Sequence, residues 1–99
     1  MGDAAHRLET VAGKWPMLTI AALRGGPLRF GELQRAVPGV SQKMLTQTLR
    51  ALEAEHLVTR TVYAEVPPRV EYALTADGAS AAAAVADVIS WSASPPAPS

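Results

Sequence analysis

Between residues 41 and 55 the apolar positions fall three and four apart. Leu45, Leu49 and Leu52 alternate with Gln42, Lys43, Thr46, Gln47 and Arg50. At 100° per residue the polar five share an arc of about 140°, and the leucines gather opposite them. This predicts an amphipathic helix with one face on a core. Ser41 suits its N-cap, and Val40 with Leu45 has the spacing of a hydrophobic staple.

The same spacing predicts helices upstream. Ala4, Ala5, Leu8, Val11 and Ala12 give a short first helix that Asp3 can cap. Trp15, Met17, Leu18, Ile20, Ala21, Ala22 and Leu23 make the next apolar almost all round, which suits the centre of a domain. Pro16 fits its first turn, and Gly25 and Gly26 stop it. "RFGELQRAV" gives a third, with Phe30, Leu33 and Val37 on one side, and "PGV" turns the chain into the Ser41 helix.

Then the period drops to two. Val58, Val62 and Val66 alternate in "LVTRTVYAEV", as do Val70, Tyr72 and Leu74 in "RVEYALT". Two strands are expected, separated by Pro67 and Pro68. Prolines donate no ladder bond, so they belong at a hairpin's end, and Pro67 biases Val66 to an extended conformation. Thr75 can cap a last helix running to about Trp91, and the proline-rich residues 93–99 read as a disordered tail.

The expected fold is mainly α with a small β-hairpin. It forms one domain over residues 1–92, with a core over 13–75 and terminal helices over 1–12 and 76–92. A short helix, a tight turn and a longer capped helix make a helix-turn-helix, and the hairpin adds a wing.

Charge sharpens this picture. The 99 residues carry zero net charge, yet Arg24, Arg29, Arg35, Lys43 and Arg50 face one acid, Glu32, between Arg24 and Arg50. A neutral protein can still present a local basic face. The polar side of the Ser41 helix holds two amides, two cations and a hydroxyl, with no acid before Glu53. Amides suit adenine edges, cations suit guanine or phosphate, and hydroxyls suit either. Any surface helix has a polar face, but an ordinary one mixes glutamate with lysine. Arg29, Ser41, Gln42, Lys43, Thr46, Gln47, Arg50 and Arg69 are therefore the candidate DNA contacts, with Arg69 at the wing tip on phosphate or a narrow minor groove. Its bland alternative is a surface pair with Glu65 or Glu71.

Other chemistry is poorly provided for. No cysteine is present, which excludes disulfides, thiolate catalysis and cysteine-ligated metal in this chain. His6 and His56 lack metal-ligand spacing, Ser41 has no neighbouring base, and the glycines form no phosphate-binding fingerprint. No enzyme activity, metal or cofactor is expected. The N-terminus lacks a signal-peptide pattern, and the alanine-rich late stretch is too short to span a bilayer, so a cytoplasmic location without membrane contact is expected. Trp15 reads as core.

"GKWPMLTIAAL", "RFGELQRAVPGVSQKMLTQTLRALEAEHLVTR", "EVPPRVEYALTADG" and the closing Trp91 resemble the HxlR-type winged helix-turn-helix regulators of bacteria, from about Gly13 to Trp91. The resemblance implies a homodimeric transcriptional regulator, with the Ser41 helix reading DNA, Pro67 to Arg69 as the wing tip, and dimer contacts from the terminal helices. On those helices Leu8, Val11, Val85, Val88, Ile89 and Trp91 are the candidate dimer residues. Ala81, Ala82 and Ala86 are small enough for close approach. Many members carry a cysteine just ahead of the "GKW" block, and some sense oxidants through it; this chain has none, so thiol sensing is not expected. A small-molecule effector is left open. The alternative reading is a winged helix turned to protein–protein contact, which calls for apolar or acidic residues where Gln42, Lys43, Gln47 and Arg50 stand.

Overall fold

The computed structural model describes residues 2–95, and side chains from Ala4 onward. The chain runs α1 (Gly2–Val11), α2 (Lys14–Leu23), β1 (Leu28–Arg29), α3 (Phe30–Ala36), α4 (Gln42–Ala54), β2 (Val58–Tyr63), β3 (Arg69–Leu74) and α5 (Ala76–Ala93). The strands form one antiparallel sheet in the order β1-β3-β2. It is a winged helix with a third strand that the alternation did not predict. β1 has only two residues, paired as Leu28 with Tyr72 and Arg29 with Glu71, too few to show a period.

α2 is the central post. Its Ile20 and Leu23 are buried with Leu33 and Val37 beside α3, Leu45, Leu49 and Leu52 of α4, Leu57, Val58, and Ala82 and Val85 of α5. Trp15 packs on the edge of this core, with Lys14 Nζ 4.6 Å from its ring centroid. α1 already begins at Gly2, so Asp3 lies within its first turn; the Asp3 side chain lies outside the described residues. α1 is tied down by His6 to Glu55 (2.7 Å) and by Arg7 to Asp77.

α3 stops one residue earlier than expected. Val37 leaves helical geometry (φ −117°, ψ 86°), is fully buried, and its carbonyl accepts from the Val40 N–H at 3.2 Å. Gly39 takes φ +84° within this turn, a conformation that favours glycine. Ser41 then caps α4 as expected, its Oγ accepting from the Met44 N–H at 3.0 Å. Such a cap contributes about 1 kcal/mol.

α4 ends in a Schellman motif. The His56 N–H donates to the Glu53 carbonyl (2.9 Å) and the Leu57 N–H to that of Leu52 (3.0 Å), with His56 at φ +57°. His56 thus caps the carbonyls with its backbone. Thr75 Oγ1 accepts from the Gly78 N–H (2.9 Å) to cap α5 and donates to the His56 carbonyl (2.7 Å).

The β2–β3 hairpin projects from the body. Only Val58 of β2 is buried, whereas Val62 and Val66 are exposed, so their alternation does not mark a half-buried face. β2 ends at Tyr63, opposite Arg69, rather than at Val66. Prolines at 67 and 68 donate no ladder bonds. The Val66–Pro67 peptide is cis. At the other end α5 reaches Ala93, two residues past Trp91, and most of the expected tail lies outside the described residues.

Candidate nucleic-acid interface

The Ser41 cap fixes where α4 starts, and its leucines fix which side turns inward. Leu45, Leu49 and Leu52 are buried, joined by Thr48. Gln42, Lys43, Thr46, Gln47 and Arg50 consequently line one open surface hollow. All but half-buried Thr46 are exposed, and the Thr46 hydroxyl donates to the Gln42 carbonyl at 2.8 Å. Its lone pairs remain free to accept. No acid lies in the first turn of α4, and the helix dipole adds partial positive charge there. The surface offers amide donors and acceptors flanked by cations, at the start of a helix.

Most acids that could neutralise this surface are engaged elsewhere, and Glu53, in the last turn of α4 beside Arg50, is the exception. Glu32 accepts from the Arg29 N–H at 2.8 Å at the start of α3. Glu55 and Asp77 hold α1, and Glu65 and Glu71 lie on the wing. Lys43 and Arg50 make no ion pair among the described residues. Arg29 is exposed at the β1–α3 junction, outside the hollow on α4.

In the free protein Arg69 is held within the wing. It is the first residue of β3, and its guanidinium lies 4.1 Å from the centre of the Tyr63 ring across the hairpin. Glu65 sits 3.2 Å and Glu71 3.7 Å from its nitrogens, and Nε is buried without a hydrogen-bond partner. The bland alternative describes the free protein: the cross-strand partner supplies a ring face and two flanking acids supply countercharge. The exposed tip, residues 64–68, contains no basic residue.

The terminal helices divide into inward and outward residues. Val85 is 3% exposed and belongs to this chain's own core, which removes it from the candidate dimer contacts. Val11 and Ile89 are half-buried against the same core. Leu8, Val88 and Trp91 face outward, at 67%, 46% and 77% exposure. Two apolar hollows flank α5. Leu8, Val11, Leu57 and Ala81 line one, and Met17, Leu18, Val88 and Ile89 line the other.

The HxlR-like helix-turn-helix family profile matches residues 10–97. The chain belongs to that family. It is 46% identical over 83 residues to the HTH-type transcriptional regulator YkvN of Bacillus subtilis, covering 84% of this chain and 70% of YkvN. A Methanothermobacter thermautotrophicus relative, named only as an HTH-type transcriptional regulator, is 51% identical over 73 residues; the match covers 74% of this chain and spans 56% of that relative's length. Among solved structures, the transcriptional regulator ytfH from Salmonella typhimurium superposes with TM-score 0.82 at 42% identity, over 89% of this chain and 79% of that one. The redox regulator HypR in its oxidized form gives TM-score 0.86 at 37% identity, over 96% and 98% of the two chains.

As an HxlR-like protein the chain is a transcriptional regulator of helix-turn-helix fold, with α3 and α4 as the two helices and β2–β3 as the wing. Among its described residues no cluster of three His, Asp or Glu is placed to hold a metal, and no helix is long and apolar enough to cross a membrane. One neighbour of the α4 face escaped the reading of the sequence. Arg60 of β2, paired with Tyr72, joins Thr46, Leu49, Arg50 and Glu53 around a second cleft beside it. Its signal was a lone arginine in a strand, with nothing local to aim it at a helix ending six residues earlier.

Proposed function

We propose that this HxlR-like chain regulates transcription by binding double-stranded DNA as a homodimer, with α4 in the major groove. The observation that carries this reading is the face of α4, where Gln42, Lys43, Thr46, Gln47 and Arg50 form one acid-free surface. Gln42 and Gln47 suit base edges, while Lys43 and Arg50 suit guanine or phosphate. Outward-facing Leu8, Val88 and Trp91 support a second copy docking on the terminal helices. A two-fold dimer sets its reading helices about 34 Å apart, which calls for an inverted repeat. Such a regulator acts in the cytoplasm, where the chromosome lies.

HypR is a redox regulator, and YodB of B. subtilis, 35% identical with TM-score 0.77, has a diamide-treated structure. This chain has no thiol, so we place its control elsewhere. Selection of bound duplexes from a randomised pool, with and without diamide, tests both points. Enriched inverted half-sites about one turn apart, recovered equally under diamide, are expected. Recovery of unrelated sequences contradicts sequence reading, and loss of binding under diamide contradicts thiol independence.

A further inference from the structure

Arg60 and Arg50 approach one cleft from different elements. Arg60 stands third in β2, directly opposite Tyr72 of β3, and Arg50 stands two turns into α4. With Thr46, Leu49, Glu53 and Tyr72 they line a space of about 430 Å³ between the helix and the sheet. Thr46 and Arg50 also line the hollow on the α4 face, so the two surfaces are continuous.

Charge in this cleft is out of balance. Neither arginine makes an ion pair among the described residues, although the chain pairs Arg7 and Arg69 with carboxylates. Glu53, half-buried, is the one acid facing the space, against two guanidiniums. The Tyr72 phenol and the Thr46 hydroxyl add neutral polar groups. Two forked cations beside the Tyr72 phenol suit a tetrahedral oxyanion, which arginine binds with paired N–H donors, while the Thr46 hydroxyl stays engaged with the Gln42 carbonyl.

We infer that this cleft seats a backbone phosphate of bound DNA, gripped by Arg60 from the sheet and Arg50 from the reading helix. The inference rests on the DNA-binding reading and gives it a register. Phosphates border the groove that a reading helix enters, and contacts to them fix how the helix sits. Arg60 thereby does for the wing what Arg69, held by Glu65 and Glu71, does not. A free phosphorylated metabolite presents the same chemistry, and the test separates the two sources.

The experiment measures affinity for a labelled duplex across a salt series, for wild type, Arg60→Ala and Arg60→Lys, together with melting of each protein in inorganic phosphate at fixed ionic strength. Wild type should bind with a steep salt slope. Arg60→Ala should weaken binding about tenfold on every duplex and flatten the slope by about 0.9, the share of one phosphate, while Arg60→Lys keeps the slope. Unchanged affinity and slope in Arg60→Ala, beside a binding wild type, overturn the phosphate seat and leave DNA binding standing. A wild type that binds no duplex overturns DNA binding itself, and the seat with it. Saturable stabilisation of wild type by phosphate, lost in Arg60→Ala while the DNA slope is unchanged, assigns the cleft to a free anion and overturns the backbone role.

Discussion

The Gly78 α-carbon rests against the Leu57 carbonyl, so closely that a β-carbon there would lie 2.0 Å from its oxygen. That oxygen is already fixed, because it accepts from the Thr75 N–H at 3.0 Å. The first turn of α5 is thus docked by close backbone contact, with the Thr75 hydroxyl on the His56 carbonyl beside it, onto the junction between α4 and β2. This contact orients the reading helix against the terminal helix proposed to carry the dimer.

Gly78→Ala should therefore destabilise the protein. In an exposed helix the change gains about 1 kcal/mol of propensity. Here overpacking against fixed backbone costs about 1–3 kcal/mol or more, and outweighs that gain. A melting temperature lowered by several degrees is expected from thermal denaturation. A rise would mean that α5 can lift from Leu57 without loss.

Arg69→Ala should leave the salt slope of DNA binding unchanged, because the guanidinium is held by Tyr63, Glu65 and Glu71. Gln47→Ala should instead lower the preference for a selected operator over mixed duplex, by about 1–3 kcal/mol if the amide reads a base. Anisotropy titrations of both variants check this. A slope flattened in Arg69→Ala would show that the wing arginine leaves its acids for phosphate.

Val88→Glu combined with Trp91→Glu should give folded monomers in sedimentation, since both side chains face outward. Val85→Glu should unfold the chain, because it buries an unpaired charge in the core. A dimer that survives the double variant is built on another surface.

What the sequence disclosed follows from how local each signal is. The α4 register, its Ser41 cap and the Thr75 cap depend on residues within a turn of one another, and all were legible. β1 was not, since two residues carry no period and pair only once β3 lies beside them. Nor could α5 be divided into inward and outward sides. Its alanines blur the apolar side, and only packing in the fold separates buried Val85 from exposed Val88. The Arg69 clamp and the Arg60 cleft both form across elements. Sequence offered the acids as alternatives for Arg69, and only the hairpin register, with Tyr63 opposite, selects them.

The central claim is that α4 binds DNA, and anisotropy of a labelled mixed-sequence duplex at two salt concentrations tests it most directly. Weak binding that falls steeply as salt rises is expected, the signature of counterions released by cations such as Lys43 and Arg50. No binding at low salt by folded protein would contradict the account and turn the same helix face toward a protein partner.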